Sequence, residues 1–272
     1  MRYFSIVCCT DGCPGLGKVV DPWAVGHLCL TSLDRVADGP VCVLFNTDTA
    51  MEATFDNLEI VQCQWPPHHS QQVMMMHVYW LMMADFQDGD EVIVSDYDVL
   101  YQQNPFQMFD EFDGDLLYCT RDFEYHVPVS TGVWAFRWSA GLREWLKFML
   151  SQMLYPTWPQ YKAVCDMRDE WTPWSRFVWP DEPTRRRVSD NDFFWALHVG
   201  LTTGKFDTNI KIQDMGAKYS READSDKNTS SFEAARGVLL SRLGDGETVG
   251  LHCHSKMKPV MTEAWEKMNA SD

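Results

Sequence analysis

The chain has 272 residues, enough for one large α/β domain, and its 45% hydrophobic and 13% aromatic content excludes a disordered chain or a disulfide-held miniprotein. With 23 Lys and Arg against 39 Asp and Glu, the net charge of −16 has the wrong sign for a partner of polyanions, which disfavours broad nucleic-acid or anionic-membrane binding. The nine cysteines are scattered without a CxxC pair and read as reduced thiols, so a cytoplasmic enzyme is expected.

Tyr3 to Cys9 is an apolar run that meets Thr10-Asp11-Gly12, a turn instead of a small-residue cleavage site, and is read as a buried first strand. After a Gly/Pro-rich loop, Trp23 to Val36 carries apolar residues at helical spacing. Val41 to Phe45, ending on Asn46-Thr47-Asp48, completes a β-α-β unit. Leu58 to Cys63 is a third strand. Ser70 to Phe86 is a Met-rich helix; its apolar stretch from Val73 contains His77 and Asp85 and is too short to span a membrane. Glu91 to Val94 is a fourth strand that runs into Ser95-Asp96-Tyr97-Asp98. Alternating strands and helices predict a largely parallel sheet covered on both faces, with ligands beyond the carboxyl ends of its strands. The residues there are Asp11, Asp48 and the Asp96/Asp98 pair.

Further on, Leu116 to Cys119 and Val133 to Phe136 read as strands and Gly141 to Leu154 as an amphipathic helix. Tyr155 to Val188 is an irregular excursion rich in Trp and Pro that includes Trp158, Trp171, Trp174 and Trp179 and the run Arg185-Arg186-Arg187. Its tryptophans either form a platform for sugar rings or bases or pack the segment onto the core. Asp192 to Val199 is a short helix, Ser220 to Ser231 a polar loop and Thr248 to Cys253 a last strand.

Two carboxylates one residue apart at the end of a buried strand can hold a divalent cation against nucleotide phosphates. D-x-D also occurs at Asp88/Asp90, Asp113/Asp115, Asp190/Asp192 and Asp224/Asp226, but only Asp96/Asp98 directly follows an apolar strand-like run. The alternative is a solvated acidic turn. His252-Cys253-His254-Ser255-Lys256-Met257-Lys258-Pro259 adds imidazoles suited to Mn²⁺-like ions and lysines suited to a diphosphate.

In order, Val92 to Asp98 followed by Asn104-Pro105, then Ser130-Thr131-Gly132-Val133, Asp190-Asn191-Asp192 and the terminal His252-x5-Lys258-Pro259 resemble the retaining glycosyltransferases related to glycogenin and the bacterial lipopolysaccharide galactosyltransferases, glycosyltransferase family 8. The resemblance covers roughly residues 4 to 260. It implies a GT-A fold (α/β, Rossmann-like, mostly parallel sheet flanked by helices) as a single domain over 1–272, with 1–115 the nucleotide-sugar-binding half and 116–272 the acceptor half. It implies metal-dependent, retaining transfer from a nucleotide-sugar, a UDP-sugar, to a glycan or other hydroxyl-bearing acceptor. Mn²⁺ or Mg²⁺ would be held by Asp96, Asp98 and His252, with Lys258 on the diphosphate. Thr10 and Asp11 would lie near the uracil or ribose, Tyr97, Thr131 and Gly132 along the donor, and Asp190 and Asn191 beside the donor sugar as catalytic residues. The chain departs from the family at Ser130-Thr131-Gly132 in place of Asn-Ser-Gly, at Asp190-Asn191 in place of Asp-Gln, and at Ser255 in place of a glycine.

Two rival readings share part of this pattern. Another divalent-metal-dependent phosphate enzyme, a nucleotidyltransferase or phosphohydrolase, would use the Asp pair without needing the His-x5-Lys-Pro element. A non-catalytic relative would bind nucleotide or carbohydrate without turnover. A modified-base DNA acceptor is a lesser alternative, against which the charge of −16 argues.

Overall fold

The computed structural model describes residues 1–8, 21–47, 53–64, 78, 81–121, 128–155, 157–164, 190–206, 208–222, 231–254 and 257–270. The strands are β1 (Arg2–Cys8), β2 (Val41–Thr47), β3 (Leu58–Gln64), β4 (Glu91–Asp96), β5 (Val99–Tyr101), β6 (Leu116–Thr120), β7 (Val129–Arg137), β8 (Ile212–Asp214), β9 (Arg221–Glu222) and β10 (Gly250–His252). The helices are α1 (Pro22–Val36), α2 (Met108–Glu111), α3 (Ala140–Leu154), α4 (Asp190–Thr202), α5 (Phe232–Ser241) and α6 (Val260–Ala270), with a 3-10 turn at Pro105–Gln107.

Seven strands form one sheet in the order β3-β2-β1-β4-β7-β6-β8. The first four are mutually parallel; β1, β2 and β4 carry continuous apolar runs, as expected of strands covered on both faces, whereas the edge strand β3 leaves Glu59 and Val61 exposed. β7 runs antiparallel to both β4 and β6, so the expectation of a largely parallel sheet holds for the first half of the molecule and is qualified in the second. The sheet crosses the 115/116 boundary without a break. A second sheet, β5-β10-β9, was not expected from the sequence: β10 lies within the expected last strand, Thr248 to Cys253, but its partners β5 and β9 are only three and two residues long.

Strand alternation divides the core into two layers. Phe4, Ile6 and Cys8 of β1, with Val43 and Phe45 of β2, pack under α1, α5 and α6. Val92 and Val94 of β4, with Trp134 and Phe136 of β7, pack under α3 and α4. Helix starts follow local chemistry. The Asp21 carboxylate accepts from the Trp23 amide at 3.0 Å and Pro22 occupies the first turn, while Ser139 accepts from the Leu142 amide at 3.1 Å. α4 is longer than expected, beginning at Asp190 and running to Thr202. Residues 78 and 81–83 are helical, as expected of the Met-rich segment, whose other residues from 70 to 80 lie outside the described set. Among the described residues no helix is long and apolar enough to cross a membrane.

Candidate active site

The order of the large sheet reverses between β1 and β4, since β2 and β3 extend it on one side and β7, β6 and β8 on the other. A crevice beyond the carboxyl ends of strands at such a switch point is where α/β folds bind ligands. Asp96 closes β4 in register with Val7 of β1, so its position at this point follows from strand length alone. The chain turns once at Tyr97-Asp98 and returns as β5, whose Val99 pairs with His252 of β10. The amide of Cys253 donates to the carbonyl of Asp98 at 2.8 Å, which ties this turn to the end of β10. The small sheet thus brings the two distant sequence elements face to face.

His252 Nε2 lies 3.4 Å from Asp96 Oδ2 and 3.2 Å from Asp98 Oδ1. One donor atom from each of these residues lies within 4.8 Å of the others. His252 and Asp98 are almost fully buried, whereas the Asp96 side chain is 39% exposed and forms the open side of the cluster. Neither Asp98 Oδ1 nor His252 Nε2 has a hydrogen-bond partner, although both are buried. Orphaned buried polar atoms that face one another are costly, and a cation between them would satisfy both. Two carboxylate oxygens and an imidazole nitrogen are a donor set that suits Mn²⁺ or Mg²⁺, so the residues fit such an ion.

The electrostatics agree. Burial opposes a charged His252 ring, but the carboxylates of Asp96 and Glu222 outweigh it and push the imidazole up to about 10. Burial likewise raises the Asp96 carboxyl, and the nearby imidazole of His252, followed by the charge of Lys258, brings it below the usual range. The cluster is therefore a place of negative potential that stabilises positive charge. Lys258, in the turn leading into α6, is buried with its ammonium against Asp98 Oδ2 and 4.2 Å from the centre of the Tyr97 ring. Asp98 thus turns one oxygen to His252 and the other to Lys258.

Gly132 is required by space. A Cβ there would lie 2.3 Å from Nδ1 of His252 and 2.7 Å from Ser220 Oγ, so the ring rests directly on the β7 backbone. The neighbouring Thr131 donates through Oγ1 to Asn191 Oδ1 at 3.0 Å, which links β7 to the first turn of α4. The structure therefore gathers Asp96, Tyr97, Asp98, His252, Lys258 and Gly132, and joins Thr131 to Asn191. Asp190 opens α4. Thr10, Asp11, Asp48, Trp171, Trp174, Trp179, the Arg185 to Arg187 run and Ser255 lie outside the described residues. Trp158 packs against Phe206, Phe148 and Phe193 at centroid distances of 5.2, 5.8 and 6.2 Å, which is the core-packing alternative for that residue.

Glu222 and Arg121 were missed. Glu222 is buried behind His252, with Oε1 at 3.3 Å from Nδ1, and pairs with Arg121 Nε at 3.2 Å. In the sequence Glu222 opens a polar stretch that reads as a loop, and the two-residue strand that buries it has no periodicity to detect.

The sequence matches no protein-family profile and no curated protein. Solved structures do match. The glycosyltransferase GlyE of Streptococcus pneumoniae TIGR4, in its apo form, superposes with a TM-score of 0.53 at 12% identity, covering 99% of this chain and 62% of GlyE. A second GlyE structure gives 0.51 at 11% identity, covering 100% and 63%. Mouse xyloside xylosyltransferase 1, apo form, matches at 0.48 and 13% identity over 80% of this chain and 86% of that one. The chain spans under two thirds of the length of GlyE. The fold is a single-domain, GT-A-like glycosyltransferase fold.

Proposed function

We propose that the protein is a divalent-metal-dependent glycosyltransferase that moves a sugar from a UDP-sugar to a hydroxyl-bearing acceptor with retention of anomeric configuration, acting in the cytoplasm. The observation that carries this reading is the convergence of Asp96, Asp98, His252 and Lys258 at the end of β4 on a glycosyltransferase fold. The cysteine pattern supports the reducing compartment.

The hard step in such a transfer is departure of the diphosphate as negative charge builds on its oxygens, and stabilisation counts where that charge develops. Asp96, Asp98 and His252 would hold Mn²⁺ or Mg²⁺, which when bound supplies Lewis-acid charge to the leaving group. Lys258 adds a fixed ammonium, held over the Tyr97 ring and tethered to Asp98, so that little reorganisation is needed as a diphosphate approaches. Asn191, anchored by Thr131, and Asp190 beside it would contact the donor sugar, and Thr10 and Asp11 would lie near the uridine. Acceptor binding is assigned to the Trp-rich segment around Trp171, Trp174 and Trp179.

The test is a panel of UDP-hexoses and UDP-pentoses with and without Mn²⁺, read by thermal shift and by product analysis. A metal-dependent shift with one donor and release of UDP is expected. Release of a sugar phosphate and UMP would instead favour a phosphohydrolase, and the absence of a shift with every donor would refute the transferase reading.

A further inference from the structure

Glu222 is a buried carboxylate that faces Nδ1 of His252, on the other side of the ring from Asp96 and Asp98, and its position is fixed from three sides. β9 and β10 pair with Glu222 in register with His252. Its Oε2 faces Arg121 Nε at 3.2 Å, with both side chains under a tenth exposed. Its Oε1 accepts from Ser130 Oγ at 2.5 Å and lies 3.3 Å from His252 Nδ1. Ser220 Oγ stands at the same 3.3 Å from Nδ1 and is itself 2.9 Å from Ser130 Oγ. The inner edge of the imidazole therefore meets acceptor oxygens, while the outer edge, Nε2, meets Asp96 and Asp98. A buried Glu–Arg pair adds little net stability by itself, so stability alone is a weak reason for a carboxylate at this depth. A carboxylate behind a metal-binding imidazole has a specific use, since it selects the Nδ1–H tautomer, fixes the ring's rotation and makes Nε2 a stronger donor.

We propose that Glu222, held by Arg121 and Ser130, is a positioning residue for a cation at Asp96, Asp98 and His252, acting through Nδ1 of His252. The inference rests on the reading of those three residues as the cation site. It requires no contact between Glu222 and the cation, the nucleotide-sugar or the acceptor.

The experiment compares Mn²⁺ affinity of the wild type, E222Q and E222A, from the electron paramagnetic resonance signal of free Mn²⁺, with unfolding of each metal-free variant as the folding control. Loss of an outer carboxylate of this kind weakens metal affinity by about 10- to 100-fold. E222Q retains an acceptor oxygen without the charge and should fall between the wild type and E222A. A merely structural Glu222 would alter unfolding and leave the Mn²⁺ affinity of the folded variant unchanged, and that result in E222Q overturns the proposal. A second measurement uses the wild type alone. With ¹⁵N-labelled histidine and saturating Mg²⁺, His252 should carry its proton on Nδ1 and bind through Nε2; the opposite tautomer overturns the proposal even if both variants fail to fold. Wild-type protein that takes up no Mn²⁺ refutes the cation site together with this inference. Wild-type uptake with unaltered affinity in E222Q refutes the inference alone.

Discussion

Gly132→Ala is the sharpest test of how the site is built, because it adds one methyl group and touches none of the proposed metal ligands covalently. Gly132 is not among the glycines with positive φ, so alanine meets no torsional obstacle in this strand and the whole effect must come from space. The new Cβ would lie 2.3 Å from Nδ1 and 2.4 Å from Cε1 of His252, where ordinary contact begins at 3.4 Å. The ring must therefore retreat by about 1 Å (3.4 − 2.3), or β7 must give by a similar amount. Metal–ligand distances tolerate about 0.2 Å, so Nε2 leaves the position from which it can share an ion with Asp96 and Asp98. Overpacking of this size costs about 1–3 kcal/mol of stability, which the fold should survive. The expected result is a folded G132A protein, destabilised within that range in denaturant titration, whose Mn²⁺ affinity by calorimetry is lower by roughly 100-fold, the upper end of what disturbed outer-sphere support produces. Wild-type Mn²⁺ affinity in G132A would show that His252 is not seated on Gly132 as a ligand, and the geometric argument would fail.

Asp96→Asn and Asp98→Asn should both abolish metal-dependent transfer but differ in stability. Asp98 is 3% exposed and is the counter-charge of the buried Lys258, so its loss costs about 3–5 kcal/mol, whereas the 39% exposed Asp96 should change urea unfolding by less than about 1 kcal/mol in chelator. Equal destabilisation by the two would contradict the burial pattern. Mn²⁺ at about 100 times its Kd should stabilise the wild type by about 2.7 kcal/mol and leave His252→Ala unmoved; an equal gain in both places the ion elsewhere. Burial pushes the Cys253 thiol up to about 12 and raises Cys29 and Cys119 as well, so none of the three should react with iodoacetamide at pH 8 before unfolding, as read by peptide mass spectrometry. Rapid native-state labelling of Cys253 would refute its burial at the end of β10. Trp158→Ala should lower stability by about 2–4 kcal/mol through lost packing on Phe148, Phe193 and Phe206. A fully stable W158A with a raised acceptor KM would return that residue to the acceptor side.

What the sequence reveals of this molecule follows the length of its elements. β1, β2, β3 and β4 are long apolar runs with turn residues at their ends, so their existence, and the position of Asp96 beyond the sheet, can be read directly. The D-x-D and the His-x5-Lys-Pro elements are legible because their residue types are chemically unusual beside such strands. The three-stranded sheet is not legible as a sheet: Gly250–His252 falls within the strand read at Thr248 to Cys253, but Val99–Tyr101 and Arg221–Glu222 are too short to carry a period, and the pairing is decided by tertiary contact. Glu222 was lost with them, since a charged residue inside Ser-Arg-Glu-Ala-Asp looks solvated until Arg121 is brought to it from far along the chain. The antiparallel direction of β7 was hidden for a related reason, as an apolar strand reads the same in either direction.

The small sheet also bears on how the protein reaches its native state. Its three strands come from three separate regions of the chain, and the Lys258–Asp98 pair that it helps to seat joins residues 160 positions apart, while Ser130 and Glu222 are 92 apart. Contacts of such separation form late, after the loops between them have been closed. A nascent chain that has not yet reached residue 250 would hold the Asp pair but neither His252, Lys258 nor β10. The proposed cation site is thereby complete only once β10 has docked beside β5 and β9, so that an ion held there would act as a seal on an assembled sheet and not as a seed for an unfinished one.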